Sequence, residues 1–145
     1  MVLLEMDFNL ILVEPMRNRT SGEIVKAYQT LIDRLKEDGS EPTLHILDNE
    51  CSAEFKNGIA KNGMKHQLVP PHDHRRNIAK KAIQVLKYHF VAVLCGADTN
   101  FPTYLWCRIL RQAEHQLNML QKSSPEKHRR KVDTSIQRSL CRGIT

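Results

Sequence analysis

No two cysteines of this chain stand close enough to form a Cys-x-x-Cys pair, and no apolar run is long enough to cross a membrane. Cys51, Cys95, Cys107 and Cys141 are scattered, two of them within apolar helical stretches, and read as free thiols of a reducing compartment. The opening stretch MVLLEMDFNLILVEP is apolar, but Glu5 and Asp7 interrupt it and it has no basic leader, so it makes a poor secretion signal. An intracellular location, nuclear or cytoplasmic, is expected. His72 and His74 flank Asp73, yet no cysteine or third histidine lies near them, which argues against a structural zinc site. His45 and His89 read as core or boundary histidines. Internal repeats are also missing.

Acidic residues are missing from one stretch in particular. Arg75, Arg76, Lys80, Lys81 and Lys87 follow one another with no Asp or Glu between them. A second basic cluster runs from Lys122 to Lys131, whereas the segment from Glu5 to Glu54 is nearly balanced. Much of the net charge of +6 is therefore local, and a local patch captures phosphates better than a dispersed excess does.

A length of 145 residues gives one domain with one sizeable core. Val2–Met6 and Leu10–Val13 read as short strands joined around Asp7-Phe8-Asn9. Ser21 caps a helix whose Ile24, Ala27, Tyr28, Leu31, Ile32 and Leu35 share one face, closed by Gly39. Thr43–Leu47 is the next strand. A short helix capped by Ser52 and closed by Asn62-Gly63 leads to a strand over Met64–Val69. Asn77 opens a long helix with Ile78, Ala79, Ala82, Ile83, Leu86, Phe90, Val91 and Leu94 as its apolar set, ended by Gly96. Pro102 begins the last helix, with Leu105, Ile109, Ala113, Leu117 and Leu120 as its stripe. The order β-β-α-β-α-β-α-α predicts a mixed sheet covered by helices. Residues 1–121 form this core, and residues 122–145 are expected to be a basic, weakly ordered tail.

Asp48 stands where a strand leaves the sheet, the place where α/β sheets gather ligands. A carboxylate there can bind Mg²⁺ or Mn²⁺, or Asp48-Asn49 can simply turn the chain into the following helix. The spaced set Asp48-Asn49, Glu54-Phe55, Lys61-Asn62-Gly63, Pro70-Pro71 and Asn77-Ile78-Ala79 resembles the catalytic core of retrotransposon integrases. These are RNase H-like DDE transferases, and the copia-type elements are the nearest match. Farther on, Leu105-Trp106, Ala113 and Leu117-Asn118 are similar to that family's Leu-Trp…Ala…Leu-Asn helix. The similarity covers roughly residues 2–121 and implies an RNase H-like mixed sheet flanked by helices.

The departures from the family pattern carry as much information as the matches. By position, Asp48 is the second acid of the triad and its metal ligand. The third acid falls at Lys80, where the family has glutamate; an ammonium repels a metal ion rather than ligating it. Glu50 replaces a glycine. The family's first acid lies on a first strand upstream, so the resemblance implies that this first strand is missing; Asp7 is the nearest acid that could substitute. Glu114 could swing an acid inward, but its helical neighbours favour a solvated face.

The resemblance thus implies a retrotransposon-derived integrase domain, nucleic-acid binding and DNA-integrating by ancestry, with an incomplete triad, no productively bound Mg²⁺ or Mn²⁺ and no catalysis. The alternative is an inert or merely DNA-binding remnant with no role in integration. Arg75, Arg76, Asn77, Lys81 and Lys87, at or along one helix start, are the expected phosphate contacts. The expected partner is DNA, bound without sequence preference; a membrane is not, and homo-oligomer formation is left open.

Overall fold

The computed structural model describes residues 1–47, 51–69, 78–121 and 131–134, the last four by backbone alone. Strands β1 (Val2–Glu5) and β2 (Leu10–Val13) form an antiparallel hairpin, with Val2 opposite Val13 and Glu5 opposite Leu10. The turn between them uses Asn9 at φ 55°, a left-handed conformation that asparagine tolerates. Both strands are almost continuously apolar because both faces of the sheet are covered. Leu3 and Leu12 point into one core, and Val2, Leu4, Ile11 and Val13 into the other.

The first core is closed by α1 (Ser21–Glu37) and α2 (Ala53–Lys61). Ala27, Tyr28, Leu31, Ile32 and Leu35 of α1 are buried there as the spacing predicts, with Ile24 packed at the margin. The helix begins one residue earlier in its cap than expected, with Thr20 as the N-cap and Ser21 as the first helical residue. At its other end Gly39 adopts φ +79°, and the Ser40 N–H donates to the Leu35 carbonyl at 2.9 Å, a glycine-closed C-terminus. In α2 the Phe55 N–H donates to Ser52 Oγ at 3.3 Å, which fixes Phe55 in the core.

Strand β3 (Leu44–Leu47) pairs in parallel with β4 (Lys65–Leu68), as a strand–helix–strand connection requires. The second core lies under α3 (Ile78–Cys95) and α4 (Trp106–Leu120), which pack against each other. A 3₁₀ turn over Thr103–Leu105, preceded by Pro102, leads into α4. Ala79, Ala82, Ile83, Leu86 and Phe90 of α3 are buried, but Ile78 and Val91 are exposed, as is Leu120 on α4. These three belong to the apolar pattern but sit beyond the width of the face that the sheet and partner helix cover.

The sheet order is β2-β1-β5-β3-β4, and β5 is Lys131–Thr134. The sequence reading put these four residues in a weakly ordered tail; in the structure they occupy the middle of the sheet. β5 runs antiparallel to β1, with Leu4 opposite Asp133, and parallel to β3, with Ile46 opposite Asp133. The cause is non-local. Lys-Val-Asp-Thr has little apolar character of its own, but two strand edges flank it and supply hydrogen bonds on both sides. A strand from beyond α4 thus joins β1 to β3 in the middle of the sheet.

Candidate functional site

Asp48, to which the sequence reading gives the catalytic and metal-binding role, lies outside the described residues, as do Glu50, His72, His74, Arg75, Arg76 and Asn77. β3 is described up to Leu47, the buried residue that Asp48 follows in sequence. Among the described residues no three His, Cys, Asp or Glu side chains gather in a way that could hold a metal ion. Lys80, at the position that the resemblance gives to the third acid, is exposed on the first turn of α3. Its ammonium offers no lone pair to a cation, so the described residues do not fit a metal centre.

Strand direction decides the case of Asp7. Val132 pairs with both Glu5 and His45, and Asp133 with both Leu4 and Ile46, so β1 runs against β3. Moving along β1 toward Asp7 therefore leads toward the start of β3 and away from Leu47. Asp7 sits in the hairpin turn at the opposite end of the sheet from the point where β3 ends, so it cannot substitute for an acid beside Asp48. The buried Glu5 holds this turn, its carboxylate accepting from the Asp7 N–H at 3.2 Å and the Phe8 N–H at 2.8 Å. An acid that sequence reasoning passed over stands elsewhere: Asp133, on β5, level with Ile46 on the parallel neighbour. No local signal marks it, since its strand is made by pairing.

Glu114 is buried, only 4% exposed, and not on the solvated face its neighbours suggest. It pairs with Arg34 of α1, and its Oε2 accepts from the Val13 N–H at 2.8 Å. One turn on, Asn118 bonds both the N–H and the carbonyl of Ile11. These contacts tie α4 to the outer edge of β2, so Glu114 is a structural acid.

His45 is fully buried, between Tyr28 and Phe55, with ring centroids 5.3 and 6.0 Å away in edge-on contact. The Tyr28 hydroxyl lies 3.3 Å from its Nδ1, while Nε2 has no hydrogen-bond partner among the described residues. Burial, and secondarily the charge of His66 beside it on β4, pushes the His45 pKa down to about 3. It is a neutral core residue, as expected.

The basic face of α3 is better defined. Lys80, Lys81 and Lys87 are all exposed, and the first turn of α3 carries no acid. Lys80 and Lys87, seven residues apart, share a face, with Gln84 between them. Lys81 lies to one side, in line with Gln84 and Tyr88. Tyr88 is 66% exposed, and its hydroxyl accepts from Gln84 Nε2 at 3.2 Å. Sequence reasoning missed this tyrosine, although an aromatic at helical spacing among lysines is a readable signal for stacking on bases.

No family profile matches this sequence, and none of the curated proteins matches it. Solved structures do. The catalytic core domain of BIV integrase superposes with a TM-score of 0.65 at 16% identity, over 85% of this chain and 76% of that one. A chain of the simian T-cell lymphotropic virus intasome in complex with PP2A regulatory subunit B56 gamma superposes with a TM-score of 0.45 at 17% identity, over 88% of this chain and 51% of that one. Among the described residues no helix is long and apolar enough to cross a membrane. The mixed sheet, with helix pairs on both faces, is the RNase H-like arrangement of an integrase core. The chain has an integrase catalytic-core-like fold.

Proposed function

We propose that this chain is a retrotransposon-derived relative of integrase cores that retains a nucleic-acid-contacting surface and does not catalyse DNA integration. The observation that carries the reading is the exposed Lys80 at the position of an acid, on a helix whose first turn has no acid at all. Lysines at a helix start add to the positive end of the helix dipole, and the two together favour phosphate oxygens. Tyr88 beside Lys87 adds a stacking surface for bases. Arg75, Arg76 and Asn77, which immediately precede the helix in sequence, extend the same basic run. The partner is DNA held through its phosphates, in the nucleus or cytoplasm. Binding to unrelated duplex and single-stranded oligonucleotides, weakening steeply as salt rises, tests the reading. A chain that binds neither at low salt would be the inert remnant.

A second reading, residual metal-dependent nicking, is favoured by one observation. β5 brings Asp133 onto the parallel neighbour of β3, the strand that Asp48 follows in sequence. Carboxylates such as those of Asp48 and Asp133 are the kind of oxygen donors that Mg²⁺ or Mn²⁺ takes, and such an ion would polarise a phosphodiester. Lys80 opposes that chemistry. Nicking by a Lys80→Glu variant in Mg²⁺ or Mn²⁺, abolished by either Asp48→Asn or Asp133→Asn, supports this reading. A Lys80→Glu variant that leaves supercoiled DNA intact removes it.

A further inference from the structure

β5 separates the sheet into two halves that do not pair with each other directly. β1 holds β2 on one side, and β3 holds β4 on the other. Each half is fastened independently of β5, because one buried cluster joins Leu3 of β1, Leu12 of β2 and Leu47 of β3 to Leu31, Ile32 and Phe55 of the covering helices. The walls on either side of β5 are thus held by helices spanning the gap. Both present apolar strand edges, and an edge without a partner leaves backbone N–H and C=O groups unsatisfied.

The strand that fills the gap has the opposite character. Lys131–Thr134 has one apolar residue, Val132, and its backbone pairs on both sides. Backbone pairing is indifferent to which copy of the chain supplies the strand. α4 ends at Gln121 in an extended conformation (φ −81°, ψ 136°), and residues 122–130 separate it from β5, a length of chain able to span several strand spacings. A strand separated from the last helix by residues 122–130, seated in a slot whose walls are held by other elements, is the arrangement from which identical chains exchange segments at little cost.

We propose that β5 is an exchangeable strand: the slot between β1 and β3 accepts Lys131–Thr134 from a second copy of this chain in the same register as from its own. The slot also sets direction, since the incoming strand must run against β1 and with β3. Exchange makes a closed, two-fold dimer in which each copy completes the other's sheet. The proposal stands on strand pairing alone and holds whether or not the chain contacts DNA.

The test uses the full chain with its native cysteines replaced by serine. Asp133 is in register with Ile46 in the parallel pair, so single Ile46→Cys and Asp133→Cys variants are mixed under mild oxidation. The expected result is a disulfide between residue 46 of one copy and residue 133 of the other, its yield rising with protein concentration. The double variant in dilute solution forms the same bond within one chain. As a measurement free of core substitutions, native mass spectrometry of the wild-type chain should show a dimer. An excess of a peptide spanning residues 128–138, but not of a scrambled one, should convert it to peptide-bound monomer. Absence of the mixed disulfide after joint unfolding and refolding, together with indifference to the peptide, overturns the proposal.

Discussion

Asn118 brackets the backbone of Ile11, its Nδ2 donating to the Ile11 carbonyl at 2.7 Å while its Oδ1 accepts from the Ile11 N–H at 3.0 Å. Two residues along β2 the pattern repeats, with Glu114 accepting from the Val13 N–H at 2.8 Å and Arg34 donating to the Val13 carbonyl at 3.4 Å. Side chains of α4 and α1 thus take the part that a further strand would play, and they close the outer edge of the sheet to strangers.

Replacing Asn118 with Leu should therefore leave two backbone groups of an edge strand without partners. The expected loss is about 1–3 kcal/mol by urea denaturation, with self-association at high concentration because the edge is open. A variant as stable and as monodisperse as the parent would show that the edge is satisfied by water instead.

Glu114→Ala removes the acceptor of the Val13 N–H and the partner of Arg34 together. Arg34 is only partly buried, so the cost belongs at the lower end for a buried pair, roughly 2–4 kcal/mol. Glu114→Gln keeps an oxygen for Val13 and should cost clearly less. Equal losses for the two variants in chemical denaturation would place the whole effect in the ion pair.

His45 gives the fold a pH dependence of definite sign. The ring is neutral in the folded chain, with a pKa of about 3, and takes up a proton near pH 6.5 when unfolded. The unfolded state binds more protons between these values, so stability is complete above about pH 6.5 and falls as pH drops toward 3, by an amount on the order of a few kcal/mol. Melting temperatures of the wild type and a His45→Phe variant, followed from pH 8 to pH 4, should converge or cross toward acid. Parallel curves would mean that His45 does not carry the effect.

DNA binding through α3 should separate into two components. Lys80→Glu and Lys87→Glu should each flatten the plot of log affinity against log salt by about one unit. Tyr88→Ala should weaken single-strand binding by about 1–3 kcal/mol while leaving that slope unchanged. Fluorescence anisotropy across a salt series distinguishes them; a slope untouched by either lysine change moves the interface off this helix.

What was legible in the sequence was local. The α1 face, the Ser52 cap on Phe55 and the left-handed Gly39 and Gly63 each declare themselves within a few residues. The misread residues are those whose environment comes from elsewhere in the chain. Glu114 looks solvated on a helical wheel, which contains no information about Val13. Lys131–Thr134 has the composition of a tail, and only the edges of β1 and β3 make it a strand. Within the candidate site, the lysine face of α3 was readable as charge spacing, whereas the separation of Asp7 from the end of β3 needed the strand directions.

The position of β5 also sets a timetable for the newborn chain. Synthesis delivers β1 to β4 and α1 to α4 before Lys131 is added, yet the strand that joins the two halves comes after them. During that interval the edges of β1 and β3 stand in the nascent protein without Lys131–Thr134 between them. On a polysome, where neighbouring ribosomes carry the same message, completed copies stand close to unfinished ones.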